Sequence, residues 1–101
     1  MTKLEAVTLF SIKRYPGVSG EQLRRQKDKV CAAARKWRQQ QPKGMTEKLA
    51  ELAGVTTNSL YRMETGLFYS ANILRAYFRA GFDPEPLKLI KVLQSIGEGA
   101  E

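Results

Sequence analysis

The chain has no histidine and one cysteine, Cys31, among its 101 residues. The first absence excludes a Ser–His–Asp or Cys–His nucleophile pair and any zinc site built on imidazole. The second excludes an internal disulfide and a thiolate metal cage. No apolar run approaches the roughly 18 residues of a membrane span, and no basic–apolar–small leader opens the chain. No acid–base pair or nucleophile with a plausible base converges anywhere in the sequence. These absences predict a cytoplasmic protein that is not an enzyme, carries no metal or cofactor and has no business at a membrane.

Acidic residues are also scarce. Against 17 Lys and Arg stand 10 Asp and Glu, for a net charge of +7 and a pI near 9.8. The surplus is one-sided: residues 1–44 hold 11 basic and 3 acidic residues, whereas residues 45–101 hold 6 and 7. Most of it lies in Arg24, Arg25, Lys27, Lys29, Arg35, Lys36, Arg38 and Lys43, broken only by Asp28. A basic stripe of this kind is the electrostatic footprint of a nucleic-acid binder. Otherwise it is a solvated helix face. With 4 Phe, 4 Tyr and 1 Trp, several at apolar helical positions, few rings remain to stack on single-stranded bases, which disfavours an RNA binder.

Every segment reads as helix. Thr2-Lys3-Leu4-Glu5 and Ser19-Gly20-Glu21-Gln22 are capping boxes. The first opens a helix to about Arg14, stopped by Tyr15-Pro16-Gly17; its β-branched Val7, Thr8 and Ile12 also suit a strand. The second opens a helix of some twenty residues ending before Pro42, with Leu23, Val30, Ala34 and Trp37 on one face. Short helices follow over about Thr46–Ala53 and Thr57–Thr65, separated by Gly54-Val55-Thr56. Ser70 caps a helix whose apolar side carries Ile73, Leu74, Tyr77 and Phe78 and whose stop is Gly81. Asp83-Pro84-Glu85 predicts a last helix burying Leu87, Ile90 and either Leu93 or Val92. Residues 97–101 read as a flexible tail. The expected fold is all-α, one domain over residues 19–96 preceded by an N-terminal element over 1–18.

The stretch Thr46–Thr65, TEKLAELAGVTTNSLYRMET, meets the steric demands of a helix-turn-helix. Ala50 stands where two helices cross closely, Gly54 where the turn needs positive φ, and Leu49, Ala53, Val55, Leu60 and Met63 where the helices clamp. The outer face of the second helix is polar, with Thr57, Asn58, Ser59, Tyr61 and Arg62. A plain αα-hairpin needs none of this combination.

Through Leu49-Ala50, Ala53-Gly54-Val55-Thr56, Leu60, Met63-Glu64 and Gly66, the segment resembles the helix-turn-helix of the lambda-repressor/Cro-like (XRE) family. The Ser70–Leu93 stretch suits, more loosely, the last two helices of that five-helix domain, to which the N-terminal helix is an addition. The resemblance implies double-stranded DNA as partner, with Thr57, Asn58, Ser59 and Arg62 reading bases. That agrees with side-chain chemistry: Arg bonds guanine, Asn bonds adenine, and a Thr methyl packs on thymine. Backbone contacts are expected from Thr46, Lys43, Lys48, Tyr61 and Arg38 around the start of the first motif helix. Tyr61 also suits partial packing. The resemblance further implies that Glu64 pairs with a basic residue of the preceding helix, for which Arg35 and Arg38 both stand available.

The leading expectation is a transcriptional regulator, most simply a repressor working as a homodimer on an inverted repeat; the resemblance further implies a place among the small proteins of mobile genetic elements. The dimer contact falls on the N-terminal helix (Leu4, Val7, Phe10) or the final one (Leu89, Val92, Ile96), with the N-terminal helix favoured. The alternative is an antitoxin or anti-regulator whose main partner is a protein. Leu67-Phe68-Tyr69, unusually aromatic for its position, and the N-terminal helix would then form the partner surface.

Overall fold

Both capping boxes form. In the computed structural model, which describes residues 1–94 and 96, the Glu5 amide donates to Thr2 Oγ1 (3.0 Å) and the Thr2 amide to Glu5 Oε1 (2.7 Å). Together they open α1 (Lys3–Ser11). Ser19 and Gln22 exchange the same pair of bonds, both 3.1 Å, and open α2 (Gly20–Gln39). Three further helices follow: α3 (Met45–Ala53), α4 (Thr57–Glu64) and α5 (Ala71–Ala80). Among the described residues there is no strand beyond an isolated bridge between Tyr15 and Val18. The protein is a compact all-α globule of five helices.

α1 is shorter than its sequence suggests. Its C-cap Ile12 is already extended, and the Ile12 carbonyl accepts Lys27 Nζ from α2 at 2.6 Å. Pro16 also keeps the residue before it out of the helical region. α1 packs on α2 and α5 and buries Ala6, Leu9 and Phe10 in the common core. Phe10 is therefore core, not the dimer contact expected of it; Leu4 alone of that trio is well exposed.

The core runs through all five helices, with Leu9, Val30, Leu49, Leu60, Met63, Leu74 and Tyr77 fully buried. Trp37, Tyr77 and Phe82 close one end as an aromatic triangle, ring centroids 5.9–6.4 Å apart. Gly81 ends α5 in the left-handed conformation, φ 117°, as the stop signal predicts.

The expected last helix does not form. Glu85 lies between Pro84 and Pro86, and a residue before proline is disfavoured in the helical region. The Glu85 amide instead bonds Asp83 Oδ1 (2.9 Å), and the Leu87 amide bonds the Pro84 carbonyl (2.9 Å). The chain then leaves helical geometry for partners elsewhere. The Met1 ammonium donates to the Leu87 carbonyl (2.5 Å) and the Glu85 carbonyl (3.2 Å), and the Ile90 amide donates to Gln26 Oε1 (3.1 Å). Among the described residues of this segment only a single 3-10 turn, Lys91–Leu93, remains. It buries Leu93 and exposes Val92. The expected tail, residues 97–101, lies outside the described residues.

Candidate nucleic-acid interface

The unit α3–turn–α4 is built as its residue types demand. Ala50 is buried, as the expected close crossing of the two helices requires. Gly54 turns the chain with φ 69°, and the next amide, Val55, bonds back to the Ala50 carbonyl at 3.0 Å. Thr56 Oγ1 accepts the Ser59 amide at 3.3 Å and starts α4. Leu49, Ala53, Leu60 and Met63 are buried between the helices and the rest of the core.

A buried polar clamp fixes this unit to α2. Glu64, only 5% exposed, accepts from Arg38 Nε (2.7 Å) and Nη2 (2.9 Å), and from the Tyr77 hydroxyl. The remaining guanidinium nitrogen, Nη1, reaches Thr46 Oγ1 at 3.3 Å, and the guanidinium lies 5.1 Å from the Tyr61 ring centroid. One arginine thereby ties the end of α2, the start of α3, the end of α4 and, through Glu64, α5. The hydrogen bond to Glu64 holds the Arg38 pKa above its usual range; burial and the same carboxylate raise that of Tyr77. Of the two arginines that the sequence leaves open, Arg38 makes the pair, while Arg35 is exposed.

With the buried side of α4 committed to Leu60, Met63 and Glu64, its opposite side carries Asn58, Tyr61, Arg62 and Thr65 in the open. Asn58 and Arg62 are one turn apart and share this stripe. Thr57 and Ser59 are half-buried on its flanks, and Ser59 Oγ is engaged with Thr56 Oγ1 at 3.1 Å. Ser59 thus serves the cap. Lys43 and Lys48 are exposed at the head of α3. There Gly44 supplies no capping side chain, so the first-turn amides of α3 lack that partner. Lys43, Gly44, Thr46 and Arg38 line a groove of about 370 Å³ at this point, with Glu47 also on its wall. Arg38 and Tyr61 are half-committed to each other and Arg38 to Glu64, leaving Lys43 and Lys48 as the free cations of the set.

Three supporting groups escaped the sequence reading. Tyr77 completes the Glu64 clamp, although its helical position marks only an apolar side. Asn72 Nδ2 donates to the Ala53 carbonyl at 2.9 Å and pins α5 to the end of α3. Lys27, placed by its neighbours in a basic surface run, is buried. Compared with models of protein families, with curated proteins and with solved structures, the chain has no significant match in any of the three.

Proposed function

We propose that this protein binds double-stranded DNA in a sequence-dependent way, with α4 in the major groove and the head of α3 on the backbone. The observation that carries the proposal is the division of α4. One side is locked to the scaffold by the Glu64–Arg38–Tyr77 clamp, and the other presents Asn58 and Arg62 unobstructed beside a basic α2. A rigid helix bearing guanine- and adenine-matching side chains is what direct readout requires. The resemblance of Thr46–Gly66 to the lambda-repressor/Cro-like pattern supports the same reading, with a transcriptional repressor as its simplest form.

A single helix of this size covers too few base pairs to discriminate against a genome, so the working unit is a homodimer on an inverted repeat. α1 belongs to the monomer core. Among the described residues outside the α3–α4 unit and its following loop, the large apolar side chains left exposed are Leu4 and Val92, and these are the proposed dimer contacts.

Fluorescence anisotropy tests the reading with a mixed-sequence 30-base-pair duplex, its single strand and an RNA hairpin at low salt. Preferential, steeply salt-dependent binding of the duplex, with Arg62→Ala weakening some duplex sequences more than others, supports it. Equal or stronger binding of single strands or RNA, or no binding at all, rejects it.

A further inference from the structure

We propose that the groove between the α1–α2 turn and the loop after α4 is a binding site for a phosphate group, held by Lys13, Arg24 and Lys27. It has a volume of about 350 Å³, and those three cations line it together with Gly66, Leu67 and Tyr69. The site is separate from the exposed stripe of α4 and from the groove at the head of α3.

The anomaly at its base is Lys27. The residue is 8% exposed, yet among the described residues no carboxylate lies within salt-bridge distance of it; the ion pairs there are Arg25–Glu21 and Arg38–Glu64. Its ammonium donates once, to the Ile12 carbonyl at 2.6 Å, and sits 5.1 Å from the Tyr69 ring centroid. An ammonium has three protons to donate, so two remain for a ligand. The nearby carboxylate, Asp28, keeps its charge while accepting the Tyr69 hydroxyl at 2.6 Å, but it makes no salt bridge to Lys27. Burial and the like charge of Lys13 both push the Lys27 pKa below its usual range. Keeping a desolvated cation beside two others is costly unless an anion joins them. A phosphate group, with several oxygens and up to two charges, matches three cations lining one groove and fits its volume. A nucleic-acid backbone and a free phosphorylated molecule carry the same group. The groove adjoins Gly66 and Leu67, just beyond the end of α4, so both sources can reach it.

The test avoids Lys27 itself, whose bond to Ile12 also closes the end of α1. Full-length protein and Lys13→Gln/Arg24→Gln are titrated with inorganic phosphate against chloride of matched ionic strength, following backbone amide shifts by NMR. Both substituted side chains are exposed and both remove like charge beside Lys27, so the variant should stay folded without phosphate, with a melting temperature equal to or slightly above the parent's. The proposal expects saturable shifts at Gly20, Lys27, Gly66 and Leu67 with phosphate alone, and roughly tenfold or greater weakening in the variant. Diffuse shifts identical with chloride, or equal binding by the variant, would overturn it. A second arm assigns the source by duplex anisotropy in phosphate-free buffer. A variant whose salt slope falls by about 1–2 places a backbone phosphate in the groove. A variant with unchanged duplex binding, given saturable phosphate shifts, assigns the site to a free phosphorylated molecule. Because the first arm contains no DNA, its failure is independent of the duplex-binding reading.

Discussion

Glu64→Ala should be the most damaging single substitution in the α3–α4 unit. The carboxylate accepts three bonds while nearly inaccessible, and its loss strands Arg38, whose side chain is 14% exposed, and the fully buried Tyr77 hydroxyl. Breaking a buried ion pair from one side costs about 3–5 kcal/mol, because the surviving charge is left unpaired. For a domain of this size each kcal/mol is worth about 4–8 °C of melting temperature, so the expected fall is on the order of 12–40 °C. That is a large share of the ~5–15 kcal/mol that holds such a domain folded. Circular dichroism melts measure it directly. A companion triple variant, Arg38→Met/Glu64→Leu/Tyr77→Phe, separates the cost of an orphaned charge from the worth of the clamp. Replacing these three partners by apolar groups leaves only the half-buried Thr46 hydroxyl without its bond to Arg38, so it should recover most of the loss. A Glu64→Ala protein melting within about 3 °C of the parent, or a triple variant no better than the single, would refute the reasoning.

Gly54 and Gly66 both have left-handed backbone, φ 69° and 80°, but a methyl at Gly54 meets open space while one at Gly66 would lie 2.8 Å from Asp28 Oδ1. Gly54→Ala should therefore cost about 1–2 kcal/mol and Gly66→Ala distinctly more, since the Asp28–Tyr69 bond must also give; equal urea midpoints would contradict this. Arg62→Ala should lose about 1–3 kcal/mol at one cognate base pair and relax preference there, whereas uniform weakening on every duplex would make Arg62 a phosphate contact. Stability should fall as pH rises above about 9. Burial and the Asp28 charge push the Cys31 thiol up to about 12, and burial with the Asp28 hydrogen bond takes Tyr69 up to about 12. The unfolded chain releases these protons first, so the stabilisation is complete below the ordinary values and is lost toward pH 12. Lys27, shifted down, offsets part of this loss. Melts at about pH 8 and about pH 10.5 check the sign, and Cys31→Ala should flatten the dependence.

What the sequence disclosed was mainly local. Both capping boxes, the end of α2 before Pro42 and the left-handed stops at Gly54 and Gly81 each depend on a few neighbouring residues. The choice of Arg38 over Arg35 was also within reach, because Arg38 continues the buried stripe of Val30 and Ala34 at steps of four. What failed to show depended on distant atoms. The apolar spacing of Leu87, Ile90 and Leu93 fits a helix, yet Pro86, the Met1 ammonium on the Leu87 carbonyl and Gln26 Oε1, which accepts the Ile90 amide, hold that segment out of α-helical geometry. The burial of Lys27 depends on a carbonyl fifteen residues earlier, and the partner of the Tyr77 hydroxyl lies thirteen residues back on another helix. The α3–α4 unit was legible because its steric requirements fall within twenty consecutive positions. Its anchoring was only half legible, because the clamp spans four helices.

Selection of bound duplexes from a random pool, run in parallel on the parent protein and on Asn58→Ala/Arg62→Ala, tests the central claim most directly. Both substituted residues are exposed, so the variant should fold as the parent does. The account predicts that the parent enriches a two-fold-symmetric consensus with half-site centres about one helical turn, ~34 Å, apart. The variant should still bind DNA through the basic residues but lose the preference at the positions that Asn58 and Arg62 read. A parent pool that stays random after repeated rounds, or a variant that enriches the parent's consensus unchanged, would contradict α4 as the reading helix.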